Sequence, residues 1–270
     1  MQDQVSEYNI VHKRITVIGL GPGDVGLLAP LAQAALLRAQ AIVGYKGYIG
    51  LLEPKVLYGR QVVSTGMTAE VERCNEAIDL ALVGRETAVV SSGDAGIYAM
   101  AGLVLELLEA RGLLDVVELE VVPGIPALCA AAALLGAPLM HDFAVISLSD
   151  LLTPWEVIEK RLRAAAEADF VVVLYNPRSG RRTDQLPRAL AALSAHKPGT
   201  TPVGLVKRAF RQGQEVIVTT LEGLDVQAVD MQSLLIVGNA STRMAGGRML
   251  TPRGYAGKYG LGTNGGAVGS

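Results

Sequence analysis

Four short turns hold most of the residues of this chain that could do chemistry. They are Gly19-Leu20-Gly21-Pro22-Gly23-Asp24, Ser91-Ser92-Gly93-Asp94-Ala95-Gly96-Ile97-Tyr98, Val122-Pro123-Gly124-Ile125-Pro126-Ala127 and Tyr175-Asn176-Pro177-Arg178-Ser179. Each follows a run of β-branched residues, and in open α/β sheets ligands bind at the carboxyl ends of the strands. One such turn says little, because turns use glycine and proline for backbone reasons alone. Four in order at one kind of sheet edge say more. Gly21-Pro22-Gly23-Asp24-Val25-Gly26 matches the GxGxxG pattern of a dinucleotide loop, with a strand-like run before it and a helix-like run after it. Its chemistry points elsewhere. A pyrophosphate loop offers N–H donors and a helix N-terminus, whereas here Pro22 removes a donor and Asp24 adds a negative charge. The acid expected roughly 20 residues further on, to hold a ribose, is also missing. This loop suits a cationic or neutral ligand.

The elements that must position these turns alternate between strand-like and helix-like runs, the signature of an α/β fold with parallel sheets. Strands are expected at Ile15–Gly19, Ala41–Gly44, Ala88–Ser91, Glu118–Val122, Phe143–Ser147, Asp169–Tyr175, Pro202–Val206, Glu215–Thr220 and Leu234–Gly238. A helix from Ala69 to Val83 places Val71, Cys74, Ile78 and Leu82 on one stripe and stops at Gly84. Thr153-Pro154-Trp155-Glu156 reads as a cap, a proline at the first helical position and a capping-box acid, opening a helix to about Ala168. Arg211-Gln212-Gly213-Gln214 reads as a hairpin turn, so the second half carries antiparallel signals. The Gly136–Pro138 stretch marks a boundary between an N-terminal α/β domain (1–140, with the Gly-Pro-Gly-Asp loop) and a C-terminal α/β domain (141–251). A glycine-rich tail (252–270) follows. Ile125 to Met140, the longest apolar run, is shorter than the ~20 residues a bilayer requires and reads as a buried helix.

Half of the 270 residues are apolar and the net charge is -2, which gives no case for bulk attraction to nucleic acid or a membrane. The charge is unevenly spread. From Arg178 to Arg211 there are eight Lys/Arg and one acid, and from Met231 onward four Lys/Arg and none. That pattern fits either a basic face for an anionic partner or scattered solvated arginines. Cys74 and Cys129 have neither disulfide nor metal spacing, so no metal site is expected and a reducing compartment fits. Residues 1 to 14 lack a secretory h-region, so a soluble cytoplasmic protein is the expectation.

These residues carry a resemblance to the tetrapyrrole (corrin/porphyrin) methylases, the class III S-adenosylmethionine-dependent methyltransferases. The general signature is Gly-Leu-Gly-Pro-Gly-Asp at 19–24, Ser-Gly-Asp at 92–94 and Val-Pro-Gly-Ile at 122–125. Narrower matches are Val43-Gly44-Tyr45-Lys46-Gly47-Tyr48, Ser91 to Met100, His141 to Glu156, and Leu174-Tyr175-Asn176-Pro177-Arg178-Ser179. They resemble the branch of the family that methylates C17 of precorrin-3B and contracts the ring during cobalamin biosynthesis.

The resemblance implies two α/β domains with a cofactor cleft between them, a homodimer, S-adenosylmethionine as donor and a tetrapyrrole as acceptor. Carried over by position, Pro22, Gly93, Asp94, Ile97, Pro126, Ala127, Asn176 and Ala209 would contact the donor. A carboxylate-rich acceptor needs cations, for which Lys46, Arg178, Arg181, Arg182, Lys207, Arg208, Arg211 and Arg243 are candidates. Contraction of the ring requires the C20 hydroxyl to lose a proton, and Asp94, His141 and Asp150 are the candidate bases. Four other readings compete. They are the cobalt-loaded substrate of the oxygen-independent route, an RNA ribose methylase of the same fold, a nucleotide-dependent oxidoreductase, and a non-catalytic cofactor-binding scaffold. The absence of a cysteine-rich segment favours the metal-free substrate over the first, and three Phe with one Trp leave little footprint for RNA.

Overall fold

Short runs of Val, Ile and Ala bounded by glycine build the first of two compact units, in a computed structural model that describes residues 12–260. Residues 1–11 and 261–270, including the last part of the glycine-rich stretch, lie outside the described residues. The first unit runs to Ala127 and the second starts at Leu128. In the first, β1 (Arg14–Gly19), α1 (Pro30–Arg38), β2 (Ala41–Tyr45), α2 (Lys46–Ile49), α3 (Pro54–Leu57), β3 (Gln61–Thr65), α4 (Glu70–Leu82), β4 (Thr87–Ser91), α5 (Met100–Ala110) and β5 (Glu118–Val122) follow in order. The sheet has the order β3-β2-β4-β1-β5 and every pairing is parallel.

Alternation along these strands decides which helix covers which face. Ile15, Val17, Ala41, Val43 and Val89 pack with Cys74, Ala77, Ile78, Val104 and Leu108 of α4 and α5. Ile18, Ile42, Val90 and Val122 face the other way, against Ala32, Ala35 and Leu36 of α1. The α4 stripe is Cys74, Ala77, Ile78 and Ala81; Val71, expected on it, lies in the first turn and is 54% exposed. Burial pushes the Cys74 thiol up to about 11, so it is no nucleophile at neutral pH. β3 was absent from the expected strands because it is an edge strand with polar residues at both ends and little burial.

The second unit holds α6 (from Ala127 at the division to Leu135), β6 (Gly136–Ala137), β7 (Phe143–Ser147), α7 (Trp155–Glu167), β8 (Val171–Tyr175) and α8 (Gln185–Ser194). β9 (Pro202–Lys207), β10 (Glu215–Thr220), β11 (Ser233–Val237), β12 (Arg243–Ala245), β13 (Arg248–Leu250) and α9 (Tyr255–Tyr259) complete it. Its main sheet, β10-β9-β11-β8-β7, is mixed. Only β7 and β8 pair in parallel; β11 runs against both β8 and β9, and the expected hairpin joins β9 to β10. A purely parallel sheet fails here because a short turn cannot make a parallel crossover, which needs about a dozen residues. α7 and α8 cover one face through Trp155, Ile158, Leu162, Leu186, Ala189 and Leu193.

Several expectations change in this unit. The boundary falls ahead of α6 and not near residue 140, because Leu135 packs on the other sheet face: a Cβ on Gly204 would lie 2.4 Å from Leu135 Cδ1. Gly136–Pro138 is therefore no linker, since β6 pairs with β13 in a three-stranded β12-β13-β6 sheet, and the helix of the apolar run ends at Leu135. α7 is capped by Pro154 without a side-chain bond, one residue later than the Thr153 cap expected. Tyr255–Tyr259 of the expected tail is helical. Among the described residues no helix is long and apolar enough to cross a membrane.

Candidate functional site

Register brings the first three turns to one edge of the first sheet. Gly19 lies opposite Ser91 and Ile18 opposite Val122, so the turns leave the carboxyl ends of the adjacent strands β4, β1 and β5. They then meet backbone to backbone. Gly21 N–H donates to Gly93 O at 3.0 Å and Gly93 N–H to Gly21 O at 2.7 Å, with both glycines at positive φ. A Cβ on Gly124 would lie 2.2 Å from Gly93 O and 2.6 Å from the Gly19 carbonyl carbon, so no side chain fits where the three turns cross. Sequence reasoning named Gly93 alone of this trio. A glycine two residues past the end of each of the two strands that flank β1 was the available signal.

Two aspartates brace these turns. Asp94 accepts Gly96 N–H on Oδ1 at 2.8 Å and Gly124 N–H on Oδ2 at 3.1 Å. Asp24 Oδ1 accepts Gly26 N–H at 2.7 Å and caps a short 3-10 turn, Val25–Leu27, whereas α1 begins only at Pro30. No long helix therefore aims its N-terminus at this loop, as a pyrophosphate would require. Pro22 is buried, Ile97 and Tyr98 are exposed, and Pro126 and Ala127 are half-buried. Past β2, Tyr45 stacks edge-on to Tyr48 at 5.2 Å. Lys46 is exposed, and its side chain has no hydrogen bond or ion pair among the described residues.

In the second unit, β7, β8 and β9 point the same way. Ser147 pairs with Tyr175, while Leu174 and Leu205 both oppose Leu235, so the ends of these strands form one edge. Asn176 and Lys207 stand there roughly 10 Å apart, two strand spacings with β11 between. Asn176 is left-handed (φ 51°) and donates from Nδ2 to Ser147 Oγ at 3.0 Å. Ala209 sits between two further left-handed residues, Arg208 and Phe210. The Tyr175 hydroxyl accepts Leu128 N–H at 3.0 Å, satisfying an open amide in the first turn of α6.

Most of the expected substrate cations at this edge are already engaged. Arg178 donates to Val226 O and Gln227 Oε1, and Arg182 to Asn176 O and Leu148 O. Lys207 pairs with Glu215 at 2.8 Å, and Arg208 with Gln232 and Asp230. Arg181 and Arg243 are exposed, and their side chains have no hydrogen bond or ion pair among the described residues. A cavity of about 470 Å³ opens between Arg178, Ser179 and Thr183 on one side and Met231 and Gln232 on the other.

The candidate bases separate. His141 precedes β7 and Asp150 follows it, so a strand of five residues, ~16 Å long, sets them at opposite sheet edges. His141 Nδ1 accepts Asp142 N–H at 2.8 Å and lines a different hollow of about 620 Å³ with Met140, Phe143, Phe170 and Arg253. It does not share the edge of Asn176. Asp150 does, with Oδ2 accepting from Gln185 Nε2 at 2.8 Å and Oδ1 without a partner among the described residues. Among those residues no group of three or more His, Cys, Asp or Glu could hold a metal ion.

Comparison with known proteins places this geometry. A model of the tetrapyrrole (corrin/porphyrin) methylases matches residues 14–225. The chain is 55% identical over 242 residues, covering 89% of it and 99% of the relative, to a protein named probable cobalt-factor III C(17)-methyltransferase from Salmonella typhimurium. It is 50% identical over 250 residues to the cobalt-factor III methyltransferase of Priestia megaterium, covering 92% of this chain but only 46% of that longer protein. Among solved structures, the methyltransferase CobJ superposes with a TM-score of 0.84 at 41% identity, covering 88% of this chain and 99% of that one.

Proposed function

The chain belongs to the tetrapyrrole methylases, and from that membership we propose that it transfers a methyl group from S-adenosylmethionine to C17 of a corrin precursor, with contraction of the macrocycle. One observation carries the reading: three backbone turns interlocked at Gly19, Gly93 and Gly124, beside the buried Pro22, at the carboxyl edge of a wholly parallel sheet. The N–H groups of Gly21, Gly93 and Gly124 are already bonded within this cradle and so are not offered to a phosphate, while its carbonyls suit an adenosyl group that carries a positive sulfonium. Pro22, Gly93, Ile97, Pro126 and Ala127 would hold this donor, with Asp94 bracing the cradle. Asn176 and Ala209 are assigned to it by family resemblance. When bound, S-adenosylmethionine supplies an electrophilic methyl group.

What the chain contributes is orientation and proton traffic. Holding two reacting carbons in line supplies much of the acceleration of a displacement. Lys46 and Arg181, two of the expected cations whose side chains have no partner among the described residues, would take carboxylates of the acceptor. Asp150 is assigned as the base, since it stands at the Asn176 edge with Oδ1 open, whereas both oxygens of Asp94 are bound and His141 lies across the sheet. Family membership further supports a cytoplasmic homodimer.

Precorrin-3B and cobalt-factor III are the two acceptors to weigh. The names of the Salmonella and Priestia relatives favour the cobalt-loaded one. Lack of a cysteine-rich segment does not discriminate, because the chain already covers 99% of the Salmonella protein named for that substrate. Each acceptor should be incubated anaerobically with the enzyme and methyl-labelled donor, and the macrocycle examined by mass spectrometry and NMR. A new methyl at C17 of one of them is expected. No labelled product from either would overturn the assignment.

A further inference from the structure

The connection from β7 to α7 exposes two leucines that nothing in the unit explains. Leu152 is 98% exposed and Leu151 75%, between the buried anchors Leu148 and Trp155. Scattered exposed leucines are ordinary. This pair is not a floppy excursion, because the loop is pinned on both sides. Leu148 N–H donates to Tyr175 O at 2.9 Å, Leu148 O accepts from Arg182 at 3.3 Å, and Asp150 accepts from Gln185 at 2.8 Å. The same bonds set the loop beside residues 179–185, where Arg181 is exposed and unpaired among the described residues.

A pinned apolar pair on a loop bonded to the segment that carries the open Arg181 guanidinium, at the edge that holds Asn176 and Asp150, matches a ligand with a flat apolar body and carboxylate arms. We propose that Leu151 and Leu152 form an apolar wall for one face of the tetrapyrrole ring and that Arg181 takes one of its carboxylates. This inference rests on the tetrapyrrole reading and adds to it the residues that grip the acceptor.

Trp155 is the sole tryptophan and lies three residues past Leu152, so energy transfer to uroporphyrin III, a stable octacarboxylate tetrapyrrole, reports binding there. Full-length wild type, Leu151→Ser/Leu152→Ser, Leu152→Met and Arg181→Gln are compared. The double variant is expected to weaken uroporphyrin binding and raise KM for the corrin substrate roughly tenfold or more. Affinity for S-adenosylhomocysteine, the thermal midpoint and kcat should hold, Leu152→Met should stay near wild type, and Arg181→Gln should raise KM alone. An unchanged KM in the double variant of an active enzyme overturns the wall. So does a double variant that falls from dimer to monomer in sedimentation with KM intact, which gives the leucines to a second copy. A wild type that neither binds uroporphyrin III nor methylates either corrin substrate removes the functional reading itself.

Discussion

The carboxylate of Asp94 accepts the backbone N–H of Gly124 at 3.1 Å, across 30 residues of chain. Its other oxygen accepts Gly96 N–H at 2.8 Å, so one side chain ties the turn after β4 to the turn after β5 while Gly93 clasps Gly21 from the turn after β1. An aspartate with both oxygens on backbone donors in this way is a brace. Its charge still faces the loops proposed to hold a cationic donor.

Asp94→Asn keeps an acceptor for Gly96 but turns an amide toward Gly124 N–H, setting donor against donor. A hydrogen bond to a charged group is worth about 1.5–3 kcal/mol, so affinity for S-adenosylhomocysteine should fall at least tenfold and the thermal midpoint should drop. Turnover at saturating donor should change less. Calorimetry and saturation kinetics separate these, and a collapsed kcat with unchanged donor affinity would move Asp94 into the chemistry.

Gly124→Ala tests the cradle itself. Its Cβ would sit 2.2 Å from Gly93 O and 2.6 Å from Gly19 C, and backbone cannot swing aside as a side chain can. Overpacking typically costs ~1–3 kcal/mol, so a lower melting temperature is expected together with loss of donor binding. Gly112→Ala is a fair control for strain without contact, since Gly112 has positive φ but nothing within 4 Å. It should lose stability while keeping the donor.

His141→Ala and Asp150→Asn make a paired test of the two sheet edges. His141 should be replaceable with kcat/KM within about twofold. A general base contributes ~10²–10⁴-fold, so Asp150→Asn should cut kcat by that order while donor affinity holds. The opposite ranking in steady-state kinetics would reassign the base.

What was legible in the sequence, and what was not, follows from how local each signal is. The carboxyl-edge turns could be read because strand, glycine turn and helix are contiguous in the chain. β3 could not, since an edge strand is only half-buried and Gln61 to Thr65 lack a long apolar run. The β12-β13-β6 sheet depends on Met249 meeting Gly136, a pairing across more than a hundred residues that no local pattern announces. His141 and Asp150 looked alike because both flank one strand, and only the direction of that strand separates them. The arginines looked interchangeable too. Partners such as Val226 O for Arg178 are backbone atoms far along the chain, invisible to charge counting.

Lys197 offers a test of which electrostatic effect wins in the second unit. Its side chain is 2% exposed, donating to Phe170 O at 2.9 Å and to Asp169 at 3.4 Å. Loss of hydration on burial disfavours the ammonium, Asp169 favours it, and burial prevails, holding the lysine below its ordinary 10.5. Between the folded value and 10.5 the unfolded chain binds more protons, so this group's contribution to stability rises with pH across that window. Below the folded value the buried charge carries a constant cost. Lys197→Met removes the titration along with the bond to Phe170, and should cost about 2 kcal/mol at pH 7. The stability of wild type relative to this variant should climb with pH between the lowered folded value and 10.5. Urea unfolding followed by Trp155 fluorescence measures it at each pH. A relative stability that stays flat up to pH 10.5 and falls only above it would mean that the pull of Asp169 outweighs burial, with the lysine held above its ordinary value.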